Sequence, residues 1–254
     1  EIAQAFANLG SAVTQIDSAP RIMAREDSEV SSLLQDQFTK DGISVLTNHK
    51  VVEFGRNEKQ NYAILKNEQQ TTRIEFDEVL IAVGRVANTS GFGLENLDLP
   101  LTSNGNIAVN AALQTGYPNI FACGDVAGPH QFTHMASYQA FFASLNALLV
   151  GFWRVKASDY IVPSATFTSP EIARVGLNEQ QAGSLEIDCD ITFFDMAELD
   201  RAVADGIPGG FIKILTSPKK DTILGVTIVG PQAGELIGEF IFAMTHGMGL
   251  KKIS

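Results

Sequence analysis

Two carboxylates stand where a polypeptide can grip a hydroxyl-rich ligand. Asp17 closes the short run 12–16 (AVTQI), which reads as a strand, and this run follows an amphipathic stretch over 1–10 with Ile2, Phe6 and Leu9 on one face and Gly10 as its stop. Helix, strand and terminal acid in that order match the second half of a dinucleotide-binding βαβ unit. There the acid accepts hydrogen bonds from the adenosine ribose, and a glycine-rich turn, here lying upstream of Glu1, carries the pyrophosphate. An ordinary strand-end acid fits the spacing as well. The second carboxylate is Asp125, in the run NIFACGDVAG at 119–128. Gly124 lets backbone approach a ligand closely, and an acid at a strand's carboxyl end can accept hydrogen bonds from polyol hydroxyls. A plain β-turn is the alternative. The apolar helix expected from about His134 to position 150 adds free N–H groups that can meet an electron-rich ring or a phosphate.

Other chemistries find little support. His49, His130, His134 and His246 are scattered without metal-ligand spacing, so no metal site is expected. Cys123 and Cys189 form no CxxC pair, and there is no GxSxG elbow for a serine hydrolase. With 18 Lys+Arg against 29 Asp+Glu the net charge is −11, which argues against a nucleic-acid platform and fits a cytoplasmic protein. The uncharged stretch between Asp125 and Arg154 is interrupted by Pro129, Gln131, Gln139 and Asn146 and reads as a buried helix rather than a membrane span.

The elements that must hold these residues follow from periodicity. A helix is expected over 28–41, with Val30, Leu33, Leu34 and Phe38 on one side and Gly42 as its stop, then a strand over 43–46. Runs 51–54, 62–66 and 72–76 suggest an antiparallel excursion, and 78–83 (EVLIAV) reads as a buried strand. Segment 119–123 is expected as a strand. After 160 the runs 166–168, 191–194, 211–215 and 223–229 arrive without regular helices between them, Lys219 to Asp221 read as a hairpin tip, and a helix over 234–247 follows. The fold class expected is therefore Rossmann-like α/β followed by an α+β domain with an antiparallel sheet. The first helix lacks an N-terminal cap and the last stretch stops abruptly, so both ends read as cut from a longer polypeptide.

Four segments in order, EIAQAFANLGSAVTQID, EVLIAVGRVANTSGFGLENL, PNIFACGDVAGPHQFTHMA and ATFTSPEIARVGL, resemble the class I pyridine nucleotide-disulfide oxidoreductases, the FAD-dependent relatives of dihydrolipoamide dehydrogenase, glutathione reductase and mercuric reductase. The resemblance covers the whole chain. It implies most of an NAD(P)-binding domain over 1–87, a returning FAD-domain segment over 88–156 and a dimerisation domain over 157–254. It also implies roles for single residues. Glu1 matches the acid ending the glycine-rich NAD motif, Asp17 the adenosine-ribose acid, Val51 a backbone contact to adenine and Gly84 a contact on the nicotinamide side. Asp125 matches the FAD ribityl ligand, with Gly124 beside it, and Gln131, Phe132, Thr133 and His134 match the helix start under the flavin.

The family's redox-active disulfide and first FAD-phosphate motif belong upstream of Glu1, and its His-Glu acid/base pair falls beyond Ser254, so the chain shows no catalytic residue of the family. Ala87 stands where a proline is usual. FAD and NAD are the implied cofactors; Asp17 favours NAD, while Arg21 and Arg25 keep NADP open. In the family, electrons pass between NAD(P)H on one flavin face and a disulfide on the other, and the partner subunit supplies the base. A homodimer is expected through the C-terminal helix, which carries Leu236, Ile237, Phe240, Ile241, Phe242 and Met244. Dihydrolipoamide dehydrogenase-like chemistry is the first reading. FFDMAELDRAVADG and AMTHGMGLKKI resemble the mercuric reductase branch, and a non-catalytic nucleotide-binding or dimerisation module is the alternative from another class.

Overall fold

The structure is a computed structural model and describes residues 1–149, 154–157, 161–207 and 209–253. In chain order the elements are α1 (Ile2–Asn8), β1 (Thr14–Ile16), α2 (Ser28–Lys40), β2 (Ser44–Leu46), β3 (Lys50–Arg56), β4 (Asn61–Lys66), β5 (Thr71–Phe76), α3 (Thr133–Leu148), β6 (Pro163–Thr166), β7 (Glu171–Gly176), α4 (Glu179–Ser184), β8 (Asp190–Asp195), α5 (Asp200–Ala204), β9 (Phe211–Thr216), β10 (Ile223–Gly230) and α6 (Ala233–Thr245). By packing, Glu1–Leu80 and Pro163–Ser254 form one compact unit and Ile81–Val162 a second.

The first unit contains three sheets' worth of local logic. β1 and β2 pair in parallel, Gln15 opposite Val45, with α2 crossing between them as the βαβ reading requires. β3, β4 and β5 form the expected antiparallel meander. The C-terminal sheet is antiparallel, in the order β6-β7-β10-β9-β8, and α6 packs on β6, β7 and β10. One hydrophobic core joins the early and late parts of this unit: Ile22, Val30, Leu34, Phe38 and Ile43 pack with Ile172, Phe211 and Val229. Each such side chain withdrawn from water contributes about 1.5–3 kcal/mol. Leu33, expected on the same helical side, is only partly buried at the margin.

Several expectations are corrected. Segment 78–83 forms no strand and pairs with none among the described residues, and Leu80 and Val83 are 63% and 94% exposed. Segment 119–123 makes one isolated bridge, Gln114 to Phe121, instead of a strand. β7, α4 and α5 were not expected; β7 pairs with β6 and β10 and so fills the middle of the sheet. Of the apolar residues carried by the last helix, Ile237 is turned into its own subunit's core, whereas Leu236 and Phe242 are exposed, the latter by 58%. The expected end of the long helix at position 150, and part of the expected domain boundary over 154–160, lie outside the described residues. Among the described residues no helix is long and apolar enough to cross a membrane.

Between α2 and the C-terminal sheet lies a group of carboxylates with metal-ligand spacing, Asp27, Glu29 and Glu179. Its cation is a side chain: the Lys213 ammonium bonds Asp27 at 3.0 Å, Glu179 at 2.8 Å and Glu29. Burial acts against the lysine's charge, but the hydrogen bonds it donates to Glu179, Glu29 and Asp27 outweigh it and hold Lys213 protonated far above the ordinary lysine range. Burial likewise acts to raise the Glu29 carboxyl, and the Lys213 bond prevails, leaving it below its ordinary value. A carboxyl depressed in the folded state adds stability above its unfolded-state value and loses it as pH falls through the folded one. Urea midpoints should therefore drop on acidification below about pH 4, and Glu29→Gln should flatten that drop. An acid limb identical in the two proteins would refute this.

Candidate functional site

In the first unit the site elements gather at the carboxyl end of β1. The Asp17 amide bonds the Leu46 carbonyl at 2.9 Å, so the residue still belongs to the parallel pair, and its carbonyl accepts the His49 amide at 3.0 Å. Its side chain turns back: Oδ1 accepts the Ala19 amide at 2.9 Å, an Asx turn that starts the loop toward α2. Oδ2 has no hydrogen-bond partner among the described residues and is the oxygen open to a ligand hydroxyl. His49 is pinned beside it. Asn67 Oδ1 accepts the Gln69 and Gln70 amides, so Asn67 Nδ2 must face His49 Nε2, at 3.0 Å. His49 Nδ1 then carries the proton and donates to the Thr47 carbonyl at 2.7 Å. Val51 pairs with Leu65 immediately before a register shift that leaves Val52 as the extra residue of a β-bulge, a place where backbone groups leave the ladder.

Glu1 does something other than face this edge. Its carboxylate accepts the Phe167 amide at 2.7 Å and fastens the start of α1 to the loop after β6. Arg21 is also engaged: Nη2 donates to the Glu26 carbonyl and to Gln180 Oε1, both at 2.7 Å, and Nε to Ser31 Oγ at 3.2 Å. Arg25 is exposed.

In the second unit the expected residues converge. Gly124–Val126 forms a single 3-10 turn whose first residue is buried against α3. Gly124 has φ +74°, a backbone region that side chains rarely enter, and a Cβ there would lie 3.1 Å from that of Ala136. Its amide donates to Gln139 Oε1 at 2.6 Å, which draws the turn onto the helix. Asp125, next along, leaves its carboxylate about half exposed while its carbonyl accepts Asn106 Nδ2 at 2.8 Å. Arg85, following the exposed Gly84, donates from Nη1 to the Gln131 carbonyl at 2.9 Å and to Asp125 Oδ2 at 3.4 Å. Phe132 caps α3 with no side-chain hydrogen bond, so the first amides, from Thr133 on, stay open. The His134 ring stacks on Phe132 with centroids 5.2 Å apart. Burial, then the neighbouring His134, push the His130 imidazolium below its ordinary value and favour the neutral ring.

The Arg85 guanidinium bridges the Asp125 carboxylate and the Gln131 carbonyl beside the start of α3 at Phe132, Thr133 and His134, and Gly84 precedes Arg85 in the chain. Arg85, Asn106 and Gln139 were missed. The signal for Arg85 was available, since it is the only Lys or Arg between Arg73 and Arg154. Chemically the surface offers an acceptor for hydroxyls at Asp125, open helix amides for an anion or ring edge, and a turn that only glycine completes. These features fit a flavin's polyol chain and ring edge. Gly124→Val should cut the flavin retained by the full-length protein to below about a tenth, because both the backbone angle and the Ala136 contact resist a side chain, at roughly 2–4 kcal/mol. Retention at the wild-type ratio of 450 nm to 280 nm absorbance, wavelengths set by roughly the flavin and the aromatic side chains, would contradict it.

A parallel βαβ pair ending in a ribose-type acid, a flavin-type turn docked on a helix N-terminus and an antiparallel C-terminal sheet define a nucleotide-binding α/β protein with an appended sheet domain. The family model described as pyridine nucleotide-disulphide oxidoreductase matches residues 1–140, and that of the same family's dimerisation domain matches 162–254. The chain belongs to the pyridine nucleotide-disulphide oxidoreductase family. It is 35% identical to a dihydrolipoyl dehydrogenase of Thermus scotoductus and 36% to one of Chlamydia pneumoniae, over 97% and 98% of its length and 53% of each relative. A mercuric reductase of Staphylococcus aureus is 30% identical over 100% of the chain and 46% of the relative. Among solved structures, the flavoprotein disulfide reductase RclA of Escherichia coli superposes with TM-score 0.85 at 27% identity, covering 98% of this chain and 56% of that one. LpdA of Mycobacterium tuberculosis gives 0.86 at 25%, covering 99% and 54%. The chain spans about half the length of the curated relatives it matches.

Proposed function

We propose that these residues are the nucleotide-docking, flavin-supporting and dimer-forming half of a flavin-dependent oxidoreductase of the dihydrolipoyl dehydrogenase type. It would relay electrons between NAD(H), FAD and a dithiol/disulfide in the cytoplasm. The observation that carries this reading is the turn at Gly124 and Asp125 held on the open N-terminus of α3 by Gln139, Arg85 and Asn106. In it, residues 1–87 serve the dinucleotide, 88–156 the flavin and 157–254 the homodimer. Asp17 holds the adenosine ribose, Val51 offers backbone to the adenine, and Asp125 holds the ribityl chain. Thr133 and His134 present amides to the ring edge. When bound, the flavin supplies reversible hydride acceptance from the nicotinamide and electron transfer to sulfur.

NAD rather than NADP is favoured because Asp17 is an acid and the nearby Arg21 is already bonded to its own loop and to Gln180. Mercuric ion reduction is the second reading, favoured by the similarity to the Staphylococcus aureus enzyme along the whole chain. The test is the absorbance spectrum of the full-length protein before and after anaerobic NADH. Flavin bands at about 450 nm that bleach support the reading; a protein without flavin would make this a binding or assembly module. Comparing dihydrolipoamide-dependent NAD reduction with NADPH-dependent reduction of mercuric ion separates the two substrates.

A further inference from the structure

The last residues of the loop between Asp17 and α2, Arg25 to Asp27, are gripped by side chains and amides of the C-terminal strands and α4. Asn178 Nδ2 donates to the Arg25 carbonyl at 2.9 Å. The Arg174 guanidinium forks onto Glu26 at 2.8 and 3.3 Å. Asp27 accepts the Glu179 and Gln180 amides at 3.2 and 3.0 Å as well as Lys213 Nζ, and Gln180 takes Arg21. Ile22 is the loop's fully buried apolar anchor.

The sheet presents these groups as a polar row. Arg174, Thr227 and Lys213 are directly opposite one another on β7, β10 and β9, so their side chains share a face. Lys213 is 2% exposed and Thr227 1%, and the Thr227 hydroxyl has no hydrogen-bond partner among the described residues. Burying ions and a lone hydroxyl in a sheet is a poor way to gain stability, since apolar side chains of similar size would do as well or better. What directional bonds do supply is position.

We propose that Lys213 is a positioning residue for the dinucleotide site: by fixing Asp27 and the end of the loop, the C-terminal sheet sets where the Asp17 carboxylate stands. This rests on the functional reading above. By linkage, nucleotide bound at Asp17 tightens the loop against the sheet as much as the sheet favours nucleotide.

The test uses the full-length holoenzyme and ADP-ribose as probe, with dissociation constants from calorimetry and NADH kinetics alongside. Lys213→Met should weaken ADP-ribose about tenfold and raise the NADH KM in proportion with kcat retained. Lys213→Arg should restore binding to within about threefold, and Gln180→Ala, on the exposed side of the network, should weaken it about threefold. Wild-type affinity in Lys213→Met overturns the proposal. If that variant fails to assemble, Gln180→Ala and Glu29→Gln decide, and unchanged affinity in both overturns it. A wild-type protein that binds no ADP-ribose sinks the functional reading and this proposal together, whereas normal binding insensitive to these variants sinks the proposal alone.

Discussion

Gly225→Val should lower the thermal midpoint of the full-length protein by about 10 °C or prevent folded protein from accumulating. Gly225 lies on β10 opposite Gly176 of β7, where the pairing of β10 with β9 shifts register between Ile223 and Gly225. A Cβ at 225 would overlap the carbonyl oxygen of Leu177 and crowd its amide at 2.5 Å. These are backbone atoms, held by the bond from the Leu177 amide to the Leu224 carbonyl at 3.0 Å, and cannot swing aside. Valine would force the central strand pair apart at roughly 3 kcal/mol or more. Gly238→Ala on α6, with open space around the site, is the control and should be neutral or slightly stabilising. A calorimetric scan in which both variants melt with the wild type would show that the strand pair yields more easily than this packing allows.

Asp17→Ala should raise the NADH KM about tenfold or more while kcat for saturating substrate stays within about twofold. The substitution removes the acceptor for the ribose and also the Asx turn to Ala19, so the loop loses its first bend. Asp17→Asn keeps an oxygen for the turn and should fall between. NADPH should gain relative to NADH, because a 2′-phosphate no longer meets a carboxylate. The gain should stop short of a reversal, since Arg21 is spent on carbonyls and on Gln180. Steady-state constants for both nucleotides check this, and a wild-type preference for NADPH would remove its premise.

What the sequence disclosed was whatever depends on neighbours along the chain. The helix at 28–41 and the three strands of the meander carry their periodicity within a dozen residues, and they stand within a residue or two of their expected places. Gly124 and Asp125 were visible because a turn is local. Segment 78–83 has the composition of a buried strand, yet a strand needs an edge to bond to, and composition is silent about edges. Nothing in FIKILT singles out Lys213, which is buried because its partners Asp27 and Glu179 come from elsewhere in the fold. Arg174 was hidden in the same way: Glu26 is 148 positions away in the chain. Groups that meet only after folding leave no spacing to read.

The core that unites Ile22, Val30 and Leu34 with Ile172, Phe211 and Val229 has a cost during synthesis. Its early half leaves the ribosome about 130 to 200 residues before its late half, which at about 5–20 residues per second is roughly six seconds or more of exposed apolar helix. Nascent chains arrested before residue 170 should therefore be cut readily within 22–43 by protease and bound by holdase chaperones, and chains released past 230 should be protected. Equal resistance at both lengths would mean that the early half finds shelter without its partner.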